Sequence, residues 1–393
     1  MAATAGPDIV DNGLVLALDA ADQNSFRGEA TTNYYTTPET LTSGRTGTSS
    51  GGNYTDFTTG GPNNGRFTRW VRDTALSRNN DWDWEINYSN TGLSVGQTLN
   101  VSFYARCPNG TLSSIVLRNP DAQGGTFNLD TTWRRFNVNL TYGGDYTSTP
   151  FFRFNRGHSA AYVNGATYDL ANIQIETKSY ATTFTTGTRG TTVATGGGWA
   201  DLTMTGNNGE LINGVRESSD NLGSLSFDGT NDRVECAHNS TLNITSSITM
   251  ESWIYPTAYK TTGGGGGMII TKLSYYMELA GSGVVRLYFY GLSSEGYHNG
   301  TVNVPLNTWS HIVGVRDQIN NLVRIYVNGS LDREISSITG NISSNTTAVT
   351  IGSYSGSSYE YTGRIANTKI YNRALTATEV QKNFNETRSR FGI

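Results

Sequence analysis

The chain is poor in the residues that carry most site chemistry. It has two cysteines, Cys107 and Cys236, far apart in the sequence. That excludes a disulfide framework and a thiolate metal site, and leaves both as small buried hydrophobes. Its four histidines, His158, His238, His298 and His311, are scattered. No Ser/His/Asp or Cys/His arrangement and no phosphate loop is visible, and His311, in WSHIV beside Trp309, reads as structural. Charged residues make up only 15% and the net charge is −4, so there is no basic footprint for nucleic acid. No apolar run is long enough to span a bilayer. The opening MAATAGPDIVDNG lacks a basic segment and an apolar core, so a secretory signal is not expected there.

What is present is glycine (46) against only 8 prolines, with many tyrosines and Ser/Thr/Asn. This is the composition of an all-β protein with short strands and many turns, and 393 residues allow two or three domains. The stretch Gly223–Glu235, GSLSFDGTNDRVE, reads as strand, tight turn, strand: Leu225 and Phe227 alternate with serines, Asp228–Asp232 are turn residues, and Val234 restarts the apolar face. ITMESWIYP, NTWSHIVGVRD, RIYVNGSLD and GRIANTKIYNRAL follow at matching intervals. Another strand opens the chain in NGLVLALDAA, Asn12–Ala21. Between them lie SVGQTLNVSFYARC, TWRRFNVNLTY, FFRFN and ATYDLANIQIE, short strands that argue a second sandwich or jelly roll. Leu375–Phe391 reads as a helix: Thr376 and Glu379 form a capping box, Leu375 and Val380 a hydrophobic staple, Val380, Phe384 and Phe391 one face, and Gly392 the stop.

The series from Gly223 to about Ala374 resembles the laminin-G-like branch of the concanavalin A-like β-sandwich lectins. In that family the opening strand soon runs on to a Trp and a phrase about GNNG, which here arrives only in GGWADLTMTGNNGELING at Gly197–Gly214. The resemblance therefore implies a discontinuous sandwich: its first strand in 1–29, an inserted domain in 30–186, the rest of the sandwich in 187–374, and a C-terminal helix in 375–393. Insertion at a surface loop is the tolerated way to add a domain. The inserted segment, ending in IQIETKSYATTF, resembles carbohydrate-binding-module-like jelly rolls of phage appendage proteins. The ending YNRALTATEVQKNFNETRSRFGI resembles structural proteins of marine tailed phages, cyanophages especially.

Three sets of residues are site candidates. Tyr275, Tyr276, Tyr288, Tyr290 and Tyr297, beside the glycine run Gly263–Gly267, and Tyr354, Tyr359 and Tyr361 offer aromatics for sugar binding; Trp82 and Trp84 do so in the inserted domain. The bland alternative is ordinary half-buried strand tyrosines. Asp81, Asp83 and Glu85 would share one strand face, as paired carboxylates of a glycosidase do. They lie in the inserted segment rather than in the stretch that resembles concanavalin-like glucanases, so a solvated acidic face is the preferred reading and no catalytic residue is assigned. Asp228, Asn231 and Asp232 match a turn that can lie near calcium in such domains, with a side chain bonding its own turn backbone as the preferred reading. Where relatives carry acids in the closing strand, this chain has Ala366 and Asn367.

The expected architecture is all-β: a concanavalin A-like sandwich with an inserted second β-sandwich or jelly roll and a short C-terminal α-helix. The resemblance implies a non-enzymatic virion surface protein, made in the host cytoplasm, as a capsid decoration or head fibre. Its partners would be other virion proteins and host-surface glycans, with a homo-oligomer in play, no nucleic acid, no membrane, and calcium as the candidate cofactor. A tail-fibre or baseplate adhesin and a polysaccharide-cleaving virion enzyme are the alternatives. Arg388, Arg390 and Phe391, at an ending expected to be exposed, are the candidate virion contact.

Overall fold

A computed structural model describes residues 8–35, 52–72, 84–89, 92–119, 124–143, 151–154, 166–203, 205–218, 220–261, 265–294, 296–354 and 359–393. The chain divides into two compact units. One comprises the residues up to Ala30 together with Gly190–Ile393; the other is Thr31–Arg189. Cys107 and Cys236 are both buried and free, one in each unit.

The larger unit is built on its closing strand, Thr362–Tyr371, whose residues are buried almost throughout. A strand buried on both sides must be covered on both faces and paired on both edges. One edge pairs with Ile248–Ala258. The other is shared end to end by two strands from distant parts of the sequence: Leu14–Asp19 lies against its second half and Ser224–Asp228 against its first. Ser310–Asp317, Leu322–Val327 and Ser330–Ile335 extend this antiparallel sheet beyond Ile248–Ala258, and Arg216–Ser218 closes the other side. A second sheet of nine strands runs in the order Phe26–Gly28, Gly198–Trp199, Gly209–Ile212, Arg233–Cys236, Val349–Ile351, Gly267–Lys272, Tyr275–Leu279, Val284–Phe289 and His298–Asn303. Leu16, Phe227, Met250 and Ile365 of the first sheet meet Val234, Ile270, Met277 and Leu287 of the second in one continuous core.

The outer side of the first sheet is covered by the C-terminal helix, Ala377–Thr387. The Thr376 hydroxyl accepts from the Glu379 amide at 3.3 Å, and the Glu379 carboxylate accepts from the Thr376 amide at 2.9 Å, closing the capping box. Hydrogen bonds from Arg373 hold the Glu379 carboxyl down at about 2. Phe384 stacks on Trp253 with ring centres 5.8 Å apart. A final 3-10 turn, Arg388–Phe391, brings Phe391 to 4.0 Å from the same indole and ends at Gly392, which has the left-handed φ of 74°. Beneath the helix, Glu251 is fully buried. It meets Lys369 Nζ at 2.7 Å and His311 Nε2 at 3.2 Å, and accepts from Asn383 Nδ2 at 2.7 Å. Burial favours its neutral form, but the Lys369 charge and the His311 contact outweigh that and hold its pKa far below the usual carboxylate range. Asn383 also accepts from the Val10 amide at 2.8 Å, tying the start of the unit to the helix.

This docking corrects the expectation of an exposed tail. Phe391 is 6% exposed. Arg390 donates to Asp19 Oδ1 and to the Asn221 carbonyl, each at 2.7 Å, so both residues are used within the unit. Arg388 is exposed, its guanidinium 5.8 Å from the Phe384 ring centre.

The smaller unit has a five-stranded sheet, in the order Arg134–Thr141, Thr98–Arg106, Thr167–Glu176, Phe67–Arg72, Gly52–Phe57, and a four-stranded sheet, Trp84–Asn87, Phe151–Phe154, Leu112–Arg118, Gly124–Leu129. Trp70, Phe103, Phe154, Tyr168 and Ile175 are among the side chains of its own core. Asp169 is buried and paired with Arg69 at 2.6 Å and Arg106 at 2.9 Å, which satisfies a charge that burial alone would penalise.

Candidate carbohydrate site

The strand Tyr275–Leu279, YYMEL, divides its residues by alternation. Tyr275, Met277 and Leu279 enter the sandwich core, which puts Tyr276 and Glu278 on the outer side of the second sheet. Antiparallel register then decides their neighbours. Tyr276 lies opposite Tyr288, and Glu278 opposite Arg286. Directly opposed residues share a face, and the Tyr276 and Tyr288 rings stack at 5.2 Å with planes 10° apart. Tyr290, two residues along the same side, lies 4.6 Å from Tyr288. Tyr297, just before the edge strand, stands 5.7 Å from Tyr288 and is 42% exposed. Tyr354 reaches Tyr276 at 6.1 Å, and Tyr359 reaches Tyr354 at 6.0 Å. Six tyrosines, close in sequence only in part, thus form one continuous aromatic cluster, with Tyr276 buried beneath its neighbours at 4% exposure.

A buried ion pair fixes one side of it. Glu278 contacts Arg286 and accepts from the Gly266 amide at 3.1 Å. Burial raises the Glu278 pKa, with Arg286 pulling the other way. The Arg286 guanidinium lies over Tyr297, 4.2 Å from its ring centre, a cation–π contact that orients the exposed ring. The glycine run matters here sterically: a Cβ on Gly266 would fall 2.3 Å from the Leu279 carbonyl, and one on Gly265 would fall 2.4 Å from the Tyr359 ring. Burial and the contact with Tyr297 raise the Tyr276 phenol, and burial raises Tyr354 to about 12. Both hydroxyls are therefore neutral groups at physiological pH, able to donate and accept.

Next to the tyrosines, on the same sheet, is a pocket of about 270 Å³ whose lining includes Glu235, Thr271, Lys272, Leu273, Thr347 and Thr350. Lys272 Nζ donates to the Thr347 carbonyl. Burial lowers its pKa to about 8.

The sequence candidates separate clearly. Tyr288, Tyr290 and Tyr297 are brought together, with Tyr276, Tyr354 and Tyr359. Tyr275 is not on this face: it is fully buried and its hydroxyl donates to the Leu242 carbonyl at 2.8 Å. Its alternation with the apolar Met277 and Leu279 is the sequence signal that places it in the core. Tyr361 is likewise buried, at 1% exposure. Asp81, Trp82 and Asp83 lie outside the described residues. Trp84 and Glu85 begin the strand Trp84–Asn87, which pairs with Phe151–Phe154. Asp228 Oδ1 accepts from the Thr230 amide at 2.8 Å, and Asp232 accepts from the Gly214 and Asp228 amides at 2.7 and 3.0 Å. The Asn231 carbonyl accepts from Asn213 at 2.6 Å. These oxygens clasp the turn's own backbone and the neighbouring turn at Asn213–Gly214, and burial raises the Asp232 pKa, so the set fits a turn brace rather than a cation cage. Among the described residues, no group of three or more His, Cys, Asp or Glu is placed to hold a metal ion. Arg286, Glu278 and the pocket residues were not singled out from sequence.

Comparison with a family model covers the part of the larger unit that carries this face. Residues 228–381 match the concanavalin A-like lectin/glucanases superfamily. The larger unit thus carries a concanavalin A-like domain, and the tyrosine surface lies on it. Comparison with curated proteins finds no sequence match. Solved structures similar to this chain include the binding domain of Paraclostridial mosquitocidal protein 1, at 19% identity over 48% of this chain and 49% of that one, TM-score 0.40. Another is domain 4 of AbnA, a GH43 extracellular arabinanase from Geobacillus stearothermophilus, in complex with arabinotriose: 14% identity, 48% of this chain, 92% of that one, TM-score 0.38. A third is the heptameric SAP-like pentraxin from Limulus polyphemus, at 19% identity, 40% and 79% coverage and TM-score 0.30. The chain spans about half the length of the first of these.

Proposed function

We propose that the concanavalin A-like unit binds carbohydrate on the tyrosine face and does not cleave it. The observation that carries this reading is the gathering of Tyr288, Tyr290, Tyr297, Tyr354 and Tyr359 around the buried Tyr276 on the outer side of one sheet. Aromatic faces pack against the apolar side of a sugar ring while neutral hydroxyls and an arginine read its edge. Glu278, the carboxylate among them, is engaged by Arg286 and Gly266 rather than held ready for proton transfer. The finer reading is a surface protein of a tailed-phage particle, a capsid decoration or head fibre, displaying such faces in many copies so that weak contacts with host glycans add up. Its support is the likeness of Tyr371–Ile393 to endings of marine phage structural proteins. A tail adhesin would use the same face.

The direct test is a glycan array followed by calorimetric titration. Tyr288→Ala is expected to weaken binding by about tenfold, the order of one aromatic contact, with the cooperative melt retained. Undiminished binding in Tyr288→Ala and Tyr297→Ala would remove the face from the reading. An averaged particle image that placed the chain away from the surface would remove the virion role.

A further inference from the structure

The register of the second sheet joins the tyrosines to the neighbouring pocket. Tyr288 lies opposite Tyr276, Tyr276 opposite Thr271, Thr271 opposite Thr350, and Thr350 opposite Glu235. Opposed residues share a face, so these five side chains form one row straight across five strands. Four strand spacings make the row roughly 19 Å long, longer than a single sugar ring. The tyrosine end is aromatic; the Thr271–Glu235 end is polar and recessed into the 270 Å³ pocket. Thr271 is 1% exposed, lines that pocket, and its hydroxyl has no hydrogen-bond partner among the described residues. A buried hydroxyl left unpaired costs free energy that a ligand group would recover. The pocket also offers a cation, Lys272, and an anion, Glu235. Charges of both signs suit hydroxyls, which donate and accept, better than a carboxylate or sulfate.

We propose that this pocket is a second subsite of the tyrosine face, taking the adjoining residue of a neutral oligosaccharide whose chain runs across the strands from Tyr288 toward Glu235. The inference rests on the carbohydrate reading and specifies its ligand: uncharged, at least two sugar residues long, stacked at one end and hydrogen-bonded at the other. The Thr271 hydroxyl gains its partner from the second residue, and Glu235 accepts from a ring hydroxyl beside it.

The test titrates the full chain with glucose, cellobiose, cellotriose and cellotetraose, with the corresponding manno- and xylo-oligosaccharides, and with oligogalacturonates of equal length. The expected result is that, in at least one neutral series, the trisaccharide binds about tenfold more tightly than the monosaccharide, and that oligogalacturonates bind more weakly. Thr271→Val and Glu235→Gln should cut the trisaccharide-to-monosaccharide ratio to about threefold or less. Thr271→Val keeps the side-chain shape and removes only an unpartnered hydroxyl, so it reports on the site rather than on folding. If the chain-length gain survives both substitutions, or oligogalacturonates are preferred, the second subsite is wrong. If Tyr288→Ala still weakens binding about tenfold in that case, the carbohydrate reading stands without it. If no neutral oligosaccharide binds, both fall together.

Discussion

Replacing Glu251 tests how the C-terminal helix is held. Its carboxylate joins three elements: Lys369 on the closing strand at 2.7 Å, His311 on the neighbouring strand at 3.2 Å, and Asn383 on the helix at 2.7 Å. Glu251→Ala would strand the Lys369 ammonium, only 6% exposed, with no counter-charge. Breaking a buried pair by removing one partner costs about 3–5 kcal/mol, a large share of the ~5–15 kcal/mol that holds a typical domain. Glu251→Gln keeps oxygen and amide partners for Asn383 and Lys369 but also removes the counter-charge of the buried ammonium, so it should cost only a little less than Glu251→Ala, about 3 kcal/mol. The double variant Glu251→Leu with Lys369→Met removes both charges and should recover most of the damage. The sign with pH follows from the depressed pKa of Glu251. Its contribution is present in full above the unfolded-state value of about 4.3 and is lost as pH falls from there toward the much lower folded value. The gap between wild type and Glu251→Gln should therefore be widest at neutral pH and shrink below about pH 4. Urea unfolding followed by near-ultraviolet circular dichroism measures each difference. A cost for Glu251→Ala below about 1 kcal/mol, or a double variant as unstable as the single one, would refute the reasoning.

Two further outcomes concern the same unit. Thr376→Ala removes one cap and should cost about 1 kcal/mol, whereas Phe384→Ala empties the contact with Trp253 and should cost about 3 kcal/mol or more; equal losses in denaturant titrations would mean that the helix is held by its own propensity rather than by docking. Thr31 pairs with Arg189, so Ala30 and Gly190 sit beside adjacent strand ends, and excising Thr31–Arg189 with a short linker is expected to leave a cooperatively folding sandwich, checked by calorimetry against the full chain.

The sequence carried the elements better than their surroundings. The capping box at Thr376 and Glu379 was legible because its geometry is local, and the alternating strands from Gly223 onward because period 2 is local too. Tyr288 and Tyr290, two residues apart, fall on a shared face for the same reason. Thr271 was not, because a register irregularity between Met268 and Ile270 interrupts the alternation, and Met268, Ile269 and Ile270 are all buried. Counting by twos through that strand gives no consistent face. Arg286 and Glu278 become partners only once the hairpin register is known. Arg390 looked like a free terminal cation because Asp19, which receives it, is 371 positions away in the chain. Side chains that settle their charge across such separations leave no periodic mark.

The shared edge of the closing strand also sets an order in time. Leu14–Asp19 leaves a ribosome long before its partner, Thr362–Tyr371, has been made. At about 5–20 residues per second the interval is roughly 20–70 s. During it the Thr31–Arg189 unit, whose strands pair among themselves, can finish folding, while the apolar LVLALD segment waits with both backbone edges open. That makes this strand a natural client for a chaperone during synthesis, and it ties completion of the sandwich to the making of Thr362–Tyr371.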